Sequence, residues 1–501
     1  MRDCQYKDSG GLASRRCCYA AAHGLALLVS AWAWPIHTAR ANDRLRNIPP
    51  NTALDLGPSQ CEAFPELVAA ELADSCATIT DYSGMTYDPI GHRMLVWGGG
   101  HAATYRDDVE ALDLETLEWY VDAPPTPCSN MVIENVDLSL SRWITTNHPI
   151  ARHSYDLLVV VPSQLSLWML ARMQGRGRGC NHLPPPSDEA PYVLHDGHHR
   201  GPARYDFVTR QWTFYQNIPT WDFGTGAEYD PVSGKIVLVD GRGMDVLDPV
   251  ADQVVAEVSW PDESLAAEIN SGEGVKLVYV APRDSFYVVI AAPPNQTNGG
   301  VYEIQVNRSN WSQSSIRRIG TPLPSPAPDK QAWAYEESVG LIVGGVRDGV
   351  VYAFDPETEQ WSWRQAQVDS SDGAAIGSVT GQALAYDPVD AVIIFRTDYA
   401  SGWRTWAYRW GDAPSDFPDA GPGIPDAAPW DSHYETAWDA SPPPDARVDS
   451  GRPVPESVDA GTTPQASASH GCSCRTSANE AQSIWKILLF SLLAVAVLRR
   501  K

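Results

Sequence analysis

Histidine, arginine and tyrosine are unevenly spread along this 501-residue chain. His101, Tyr105, Arg106, Asp107 and Asp108 fall in one short stretch, and His148, Arg152, His153 and Tyr155 in a second. A third, Gln174–Pro202, carries Arg176, Arg178, Cys180, His182, His195, Asp196, His198, His199 and Arg200. Arginine forks beside titratable imidazoles suit an anionic or polyhydroxylated ligand. Imidazoles beside a carboxylate also suit Zn or Cu, which brings His195-Asp196-Gly197-His198-His199 into question. No helical pattern there fixes the spacing of those donors, so no metal ligand and no cofactor is assigned. The bland alternative is that these loops are solvated and their histidines structural.

Composition narrows the field. The formal net charge is −25, which argues against nucleic acid and acidic membrane surfaces as partners. Four arginines inside one insertion of such an acidic chain (Arg176, Arg178, Arg200 and Arg204) therefore stand out. No Gly-x-Ser-x-Gly, His-Glu-x-x-His or Walker loop occurs.

The elements that must position these residues are short and repeated. Tyr87-Asp88-Pro89 opens a turn, an apolar run Met94–Trp97 follows, and a second strand runs from Val109 to Leu114. The turn recurs as Tyr229-Asp230-Pro231 and Tyr386-Asp387-Pro388, with degenerate forms at Tyr155-Asp156, Pro282-Arg283-Asp284 and Tyr335-Glu336-Glu337. Each precedes an apolar run: Leu157–Val161, Ile236–Val239, Phe286–Ile290, Leu341–Val343 and Val392–Phe395. Asp-x-x-Thr-x-x-Trp appears as Asp113/Thr116/Trp119, Asp206/Thr209/Trp212 and Asp355/Thr358/Trp361. The last four copies are spaced by roughly 50 residues, the period of kelch blades.

The apolar run, Gly98-Gly99-Gly100-His101, Tyr105 and Asp113-x-x-Thr116-x-x-Trp119 together resemble the kelch motif. The resemblance implies an all-β fold, a kelch-like β-propeller similar to the central domain of galactose oxidase, with six blades and seven as the alternative. It carries no oxidase activity, because the copper-ligand motifs of galactose oxidase cannot be placed here. The sixth repeat has only three strands, and Asn47–Leu54 is a spare strand at the other end that would close the ring.

Domain organisation follows. Residues 1–41 read as a secretion signal, with Arg15-Arg16 before an apolar run and Ala39-Arg40-Ala41 as cleavage site. Residues 42–410 are the propeller. Residues 411–470, rich in Pro, Asp and Ala, are expected to be a disordered stalk. Residues 471–501 hold Cys472 and Cys474, an apolar run Ile487–Leu498 and a basic end. That arrangement resembles the sorting signal of myxobacterial surface proteins and implies display at the cell surface or outer membrane. A plain C-terminal membrane anchor is the alternative, and either way membrane contact is through this segment alone.

In a four-stranded blade the second-to-third loop shares a face with the connection into the next blade. On that topology His101, Tyr105, Arg152, His153 and His198 are expected to line one ligand-binding pocket at the channel mouth. Cys61 is expected to pair with Cys76, and Cys128 with Cys180, as disulfides of an exported protein. The functional expectation is a surface-tethered binding or interaction module for carbohydrate or another protein. The alternative is an extracellular carbohydrate-active enzyme, a kelch-type oxidase or sugar isomerase.

Overall fold

The structure is a computed structural model. It describes residues 41–58, 64–72, 83–98, 106–172, 201–222, 224–260, 269, 275–290, 300–320, 332–378, 383–399 and 402–412. The expected secretion signal, stalk and C-terminal segment lie outside the described residues. Among the described residues no helix is long and apolar enough to cross a membrane.

The fold is all-β and propeller-like. Six sheets succeed one another along the described chain, five antiparallel sheets of four strands and a last, mixed one of five. Their innermost strands are Gly84–Asp88, Leu158–Val161, Gly226–Asp230, Val275–Val280, Trp333–Glu336 and Leu384–Asp387. Each innermost strand lies beside that of the next sheet, and the sixth beside the first. Second strands such as Arg93–Trp97 are buried along their whole length, between neighbouring sheets. That is why they read as continuous apolar runs rather than as an alternation. Outer strands face solvent on one side, so Gln253–Ser259 alternates between exposed and half-buried.

The repeated turns have a physical basis. At the first hairpin the aspartate caps the turn: Asp88 accepts from the Ile90 amide at 2.9 Å, Asp230 from Val232 at 3.1 Å and Asp387 from Val389 at 2.9 Å. A left-handed residue closes each, His92 at φ 45°, Gly234 at 69° and Ala391 at 53°. The same aspartates then reach the next sheet. Arg308 of the fourth sheet donates to Asp230 of the third at 2.7 Å. His92 of the first lies 3.2 Å from Asp387 of the sixth. At the outer hairpins Asp113, Asp206 and Asp355 each accept amides two and three residues on, which accounts for the Asp-x-x-Thr pattern. The tryptophans that follow fill seams: Trp119 lies edge-on to Trp403 at 6.4 Å, and Trp212 lies 5.8 Å from Trp97.

Closure joins the two ends of the fold. Thr52–Pro58 pairs antiparallel with Gly402–Arg409 and parallel with Gln367–Asp369. The strand begins later than Asn47, because Pro50 and Asn51 (φ 53°) form a turn before it. Arg404 clamps it by donating to both oxygens of Asp55 at 2.8 and 2.7 Å. The lead-in also carries a short helix, Pro65–Ala69, that buries Leu67 with Met85 and Met131.

The second sheet departs from the repeat reading. Leu158–Val161 is its innermost strand, and the second is Ser166–Met169. Tyr155-Asp156 therefore precedes the sheet and is not its first turn, which is formed by Pro162–Gln164. A continuous apolar run cannot say which strand of a sheet it is. A small three-stranded sheet within 136–149 fills the connection before it. In that connection Cys128 is disulfide-bonded. Its Sγ lies 3.4 Å from the Glu71 carbonyl oxygen, beside the short helix. Cys61, Cys76 and Cys180 lie outside the described residues.

Candidate binding site in the central channel

The innermost strands enclose a cavity of about 290 Å³, to which all six contribute walls. Five of them place a tyrosine at one register position. Tyr87, Tyr229, Tyr279, Tyr335 and Tyr386 pair across their hairpins with Met94, Ile236, Phe286, Ile342 and Ile393. Val160 takes this position in the second sheet, opposite Leu167. All five rings line the cavity and are half-buried. The channel thus has an aromatic collar with one aliphatic gap.

Four of the collar hydroxyls, those of Tyr87, Tyr279, Tyr335 and Tyr386, are pushed above the ordinary phenol range. Burial, and then the Asp387 and Asp88 charges, push Tyr87 well above the ordinary phenol range. Burial and the hydrogen bond to Asp284 push Tyr279 up to about 12, the Oη donating to Oδ1 at 2.9 Å. Tyr386 rises through burial and the neighbouring Glu336 and Glu337.

Sheets three and four bring Glu228 and Lys276 to the same space, and Asp156, just ahead of sheet two, stands behind them. Lys276 Nζ pairs with Asp156, whose other oxygen accepts the Leu277 and Ala227 amides at 2.9 and 3.1 Å. Burial lifts Asp156 to about 6 even though Lys276 opposes the shift. Burial likewise lifts Glu228 to about 7, with Lys276 opposing and Asp156 adding to it. Lys276 and Glu228 both line the cavity. Aromatic faces with hydroxyl rims can stack on and hydrogen-bond a neutral polyhydroxylated ligand. Carboxyls titrating near neutrality can also move a proton.

The residues expected at the rim divide. His101, Tyr105 and His198 lie outside the described residues. Arg152 is buried, and its guanidinium donates to the carbonyls of Ile150, Ala171 and Ser141 at 3.1, 3.3 and 3.3 Å. Burial lowers it to about 9. His153 stands edge-on to Tyr155, with ring centroids 5.6 Å apart. Neither Arg152 nor His153 is among the residues lining the channel cavity. Their described neighbours are also engaged internally. Arg106 is buried against Asp108 and Glu110, and Glu110 accepts from Arg396 at 2.8 Å. The Arg396 guanidinium is held between Trp119 and Trp403 at 3.9 and 4.0 Å. Asp107 accepts from the Thr126 amide at 2.7 Å.

The collar was missed although its signal was present. The tyrosine of Tyr-Asp-Pro marks the turn in sequence, but its role depends on which strand borders the axis. Glu228 and Lys276 carry no such repeat signal.

No protein-family model matches the chain, and no curated protein matches it. Among solved structures it is similar to an auxiliary nutrient binding protein from Bacteroides ovatus, at 11% identity and TM-score 0.40 over 74% of each chain. It is also similar to an oligogalacturonate lyase from Vibrio parahaemolyticus, at 13% identity and TM-score 0.33 over 65% of this chain and 76% of that one.

Proposed function

We propose that this chain is a six-bladed kelch-type propeller, exported and tethered at the cell surface by its C-terminal segment, that binds carbohydrate in its central channel. The single observation that carries the reading is the collar of five tyrosines at one register position around one cavity. The apolar faces of a sugar ring match tyrosine faces, and its hydroxyls match the phenol hydroxyls and Glu228. Arg152 braces the connection that carries His153, through the carbonyls of Ile150, Ala171 and Ser141.

A glycan array probed with the purified protein tests this, followed by titration of the best glycan. Tyr229→Ala and Tyr335→Ala should each weaken binding at least tenfold while the melting temperature stays within a few degrees. Binding that survives both substitutions would place the ligand outside the channel.

A second reading is an enzyme acting on the same class of ligand. It is favoured by Asp156 at about 6 and Glu228 at about 7, both under the influence of one lysine, Lys276. Under it, Glu228→Gln abolishes turnover of the bound glycan and leaves affinity within a few-fold. No turnover by the native protein leaves binding as the activity.

A further inference from the structure

Away from the channel, three buried side chains meet where the first and sixth sheets join. His92 lies in the first hairpin of sheet one, Asp387 ends the innermost strand of sheet six, and Asp390 lies in the hairpin that follows. All three are buried, and one ligand atom from each lies within 4.8 Å of the others. His92 Nε2 is 3.2 Å from Asp387 Oδ1 and 3.9 Å from Asp390 Oδ2. Donors bound at about 2.0–2.2 Å around a tetrahedral zinc ion stand about 3.3–3.6 Å from one another. The two measured separations bracket that spacing.

We propose that His92, Asp387 and Asp390 form a binding site for a divalent transition-metal ion of the zinc type, with solvent as its remaining ligand. One imidazole and two carboxylates suit such an ion. Two carboxylates buried side by side repel each other, and a dication offsets that repulsion. The two carboxylates are also held from behind, as metal ligands are. Asp390 accepts the Asn42 amide at 3.1 Å and Arg46 Nε at 3.2 Å, while Asp387 accepts the Val389 amide at 2.9 Å. His92 Nδ1 has no hydrogen-bond partner among the described residues, so the ring's polar contacts go to these aspartates. Arg46, whose side chain is 32% exposed, lies on the solvent side of Asp390. The ion would tie residues 42–46, sheet one and sheet six together at the seam where the ring closes.

Metal-free, the same groups can balance one another. An imidazolium and Arg46 face two carboxylates, and the melting temperature is then indifferent to zinc. Titration of the chelator-stripped full chain with zinc chloride separates the two. The expected result is one equivalent bound, at least tenfold weaker in His92→Gln and in Asp387→Asn. Zinc should also raise the melting temperature of the native protein and not of these variants. Arg46→Gln keeps all three donors and should bind zinc at least as tightly as the native chain. Native affinity in His92→Gln would put the ion elsewhere, His195–His199 included, and overturn the site. Loss of binding in Arg46→Gln would overturn it too. Should His92→Gln fail to fold, zinc-edge X-ray absorption on the native protein still decides. One imidazole among oxygen donors supports the site, and two or more imidazoles reject it.

Discussion

Glu228 shows how a single side chain ties the channel to stability. Its carboxyl is lifted to about 7 by burial, above the ordinary carboxylate range. The folded state therefore holds this proton more tightly than the unfolded chain does. Between about pH 4 and pH 7 the group's contribution to stability falls as pH rises. One pKa unit corresponds to about 1.4 kcal/mol, so the loss is at most a few kcal/mol before discounting for channel water. Glu228→Gln should melt higher than the native protein at pH 7.5, with the gap closing by pH 4.5. Parallel melting curves across that range would show that Glu228 is not desolvated. At this scale the sequence was only partly legible. Asp113, Asp206 and Asp355 announced their turns, because an aspartate capping its own turn is a local event. Asp156 reads in sequence as a degenerate form of the first turn, which it is not. Its partners, Lys276 and the amides of Ala227 and Leu277, lie 71 to 121 residues away.

Among elements, the strand Thr52–Pro58 matters most. It supplies the position that sheet six lacks, and Arg404 bridges from it to Asp372 at 2.6 Å. A chain beginning at Gly57 loses most of that pairing together with Asp55. Each backbone bond is worth about 0.5–1.5 kcal/mol net, so several kcal/mol go with the strand. The melting temperature of that chain should fall well below that of one beginning at residue 42. Equal values would mean the ring does not need the strand. The spare strand could be read from sequence because the sixth repeat visibly ends one strand short. The second sheet could not be counted correctly. Its Leu157–Val161 run is as apolar as a doubly covered second strand, yet it is the one beside the axis.

Across the whole molecule, several charged residues near the expected rim are engaged internally. Clustered Arg, His and Asp looked like a ligand surface, but Arg106, Asp108, Glu110 and Arg396 are spent on one another inside a seam. Type and spacing along the chain do not reveal whether a charge is already paired. Cys128 offers a direct check on how this region is stapled. Peptide mapping of the non-reduced protein should join Cys128 to Cys180, tying the long insertion to the rim. Cys128 joined to Cys61 or Cys76 would instead tie the connection to the helix that its Sγ touches.

The clamp from Arg404 to Asp55 spans 349 residues. A chain synthesised from its N-terminus delivers Asp55 first and Arg404 only 349 residues later. Until then the early strand has no partner and sheet six has an open edge, a template for pairing with another copy. Contacts this distant in sequence are also slow to form, because the loop entropy must be met before they yield anything. The protein is thus most exposed to domain exchange and aggregation during biogenesis. A ring whose ends meet this way cannot finish folding until Arg404 has left the ribosome.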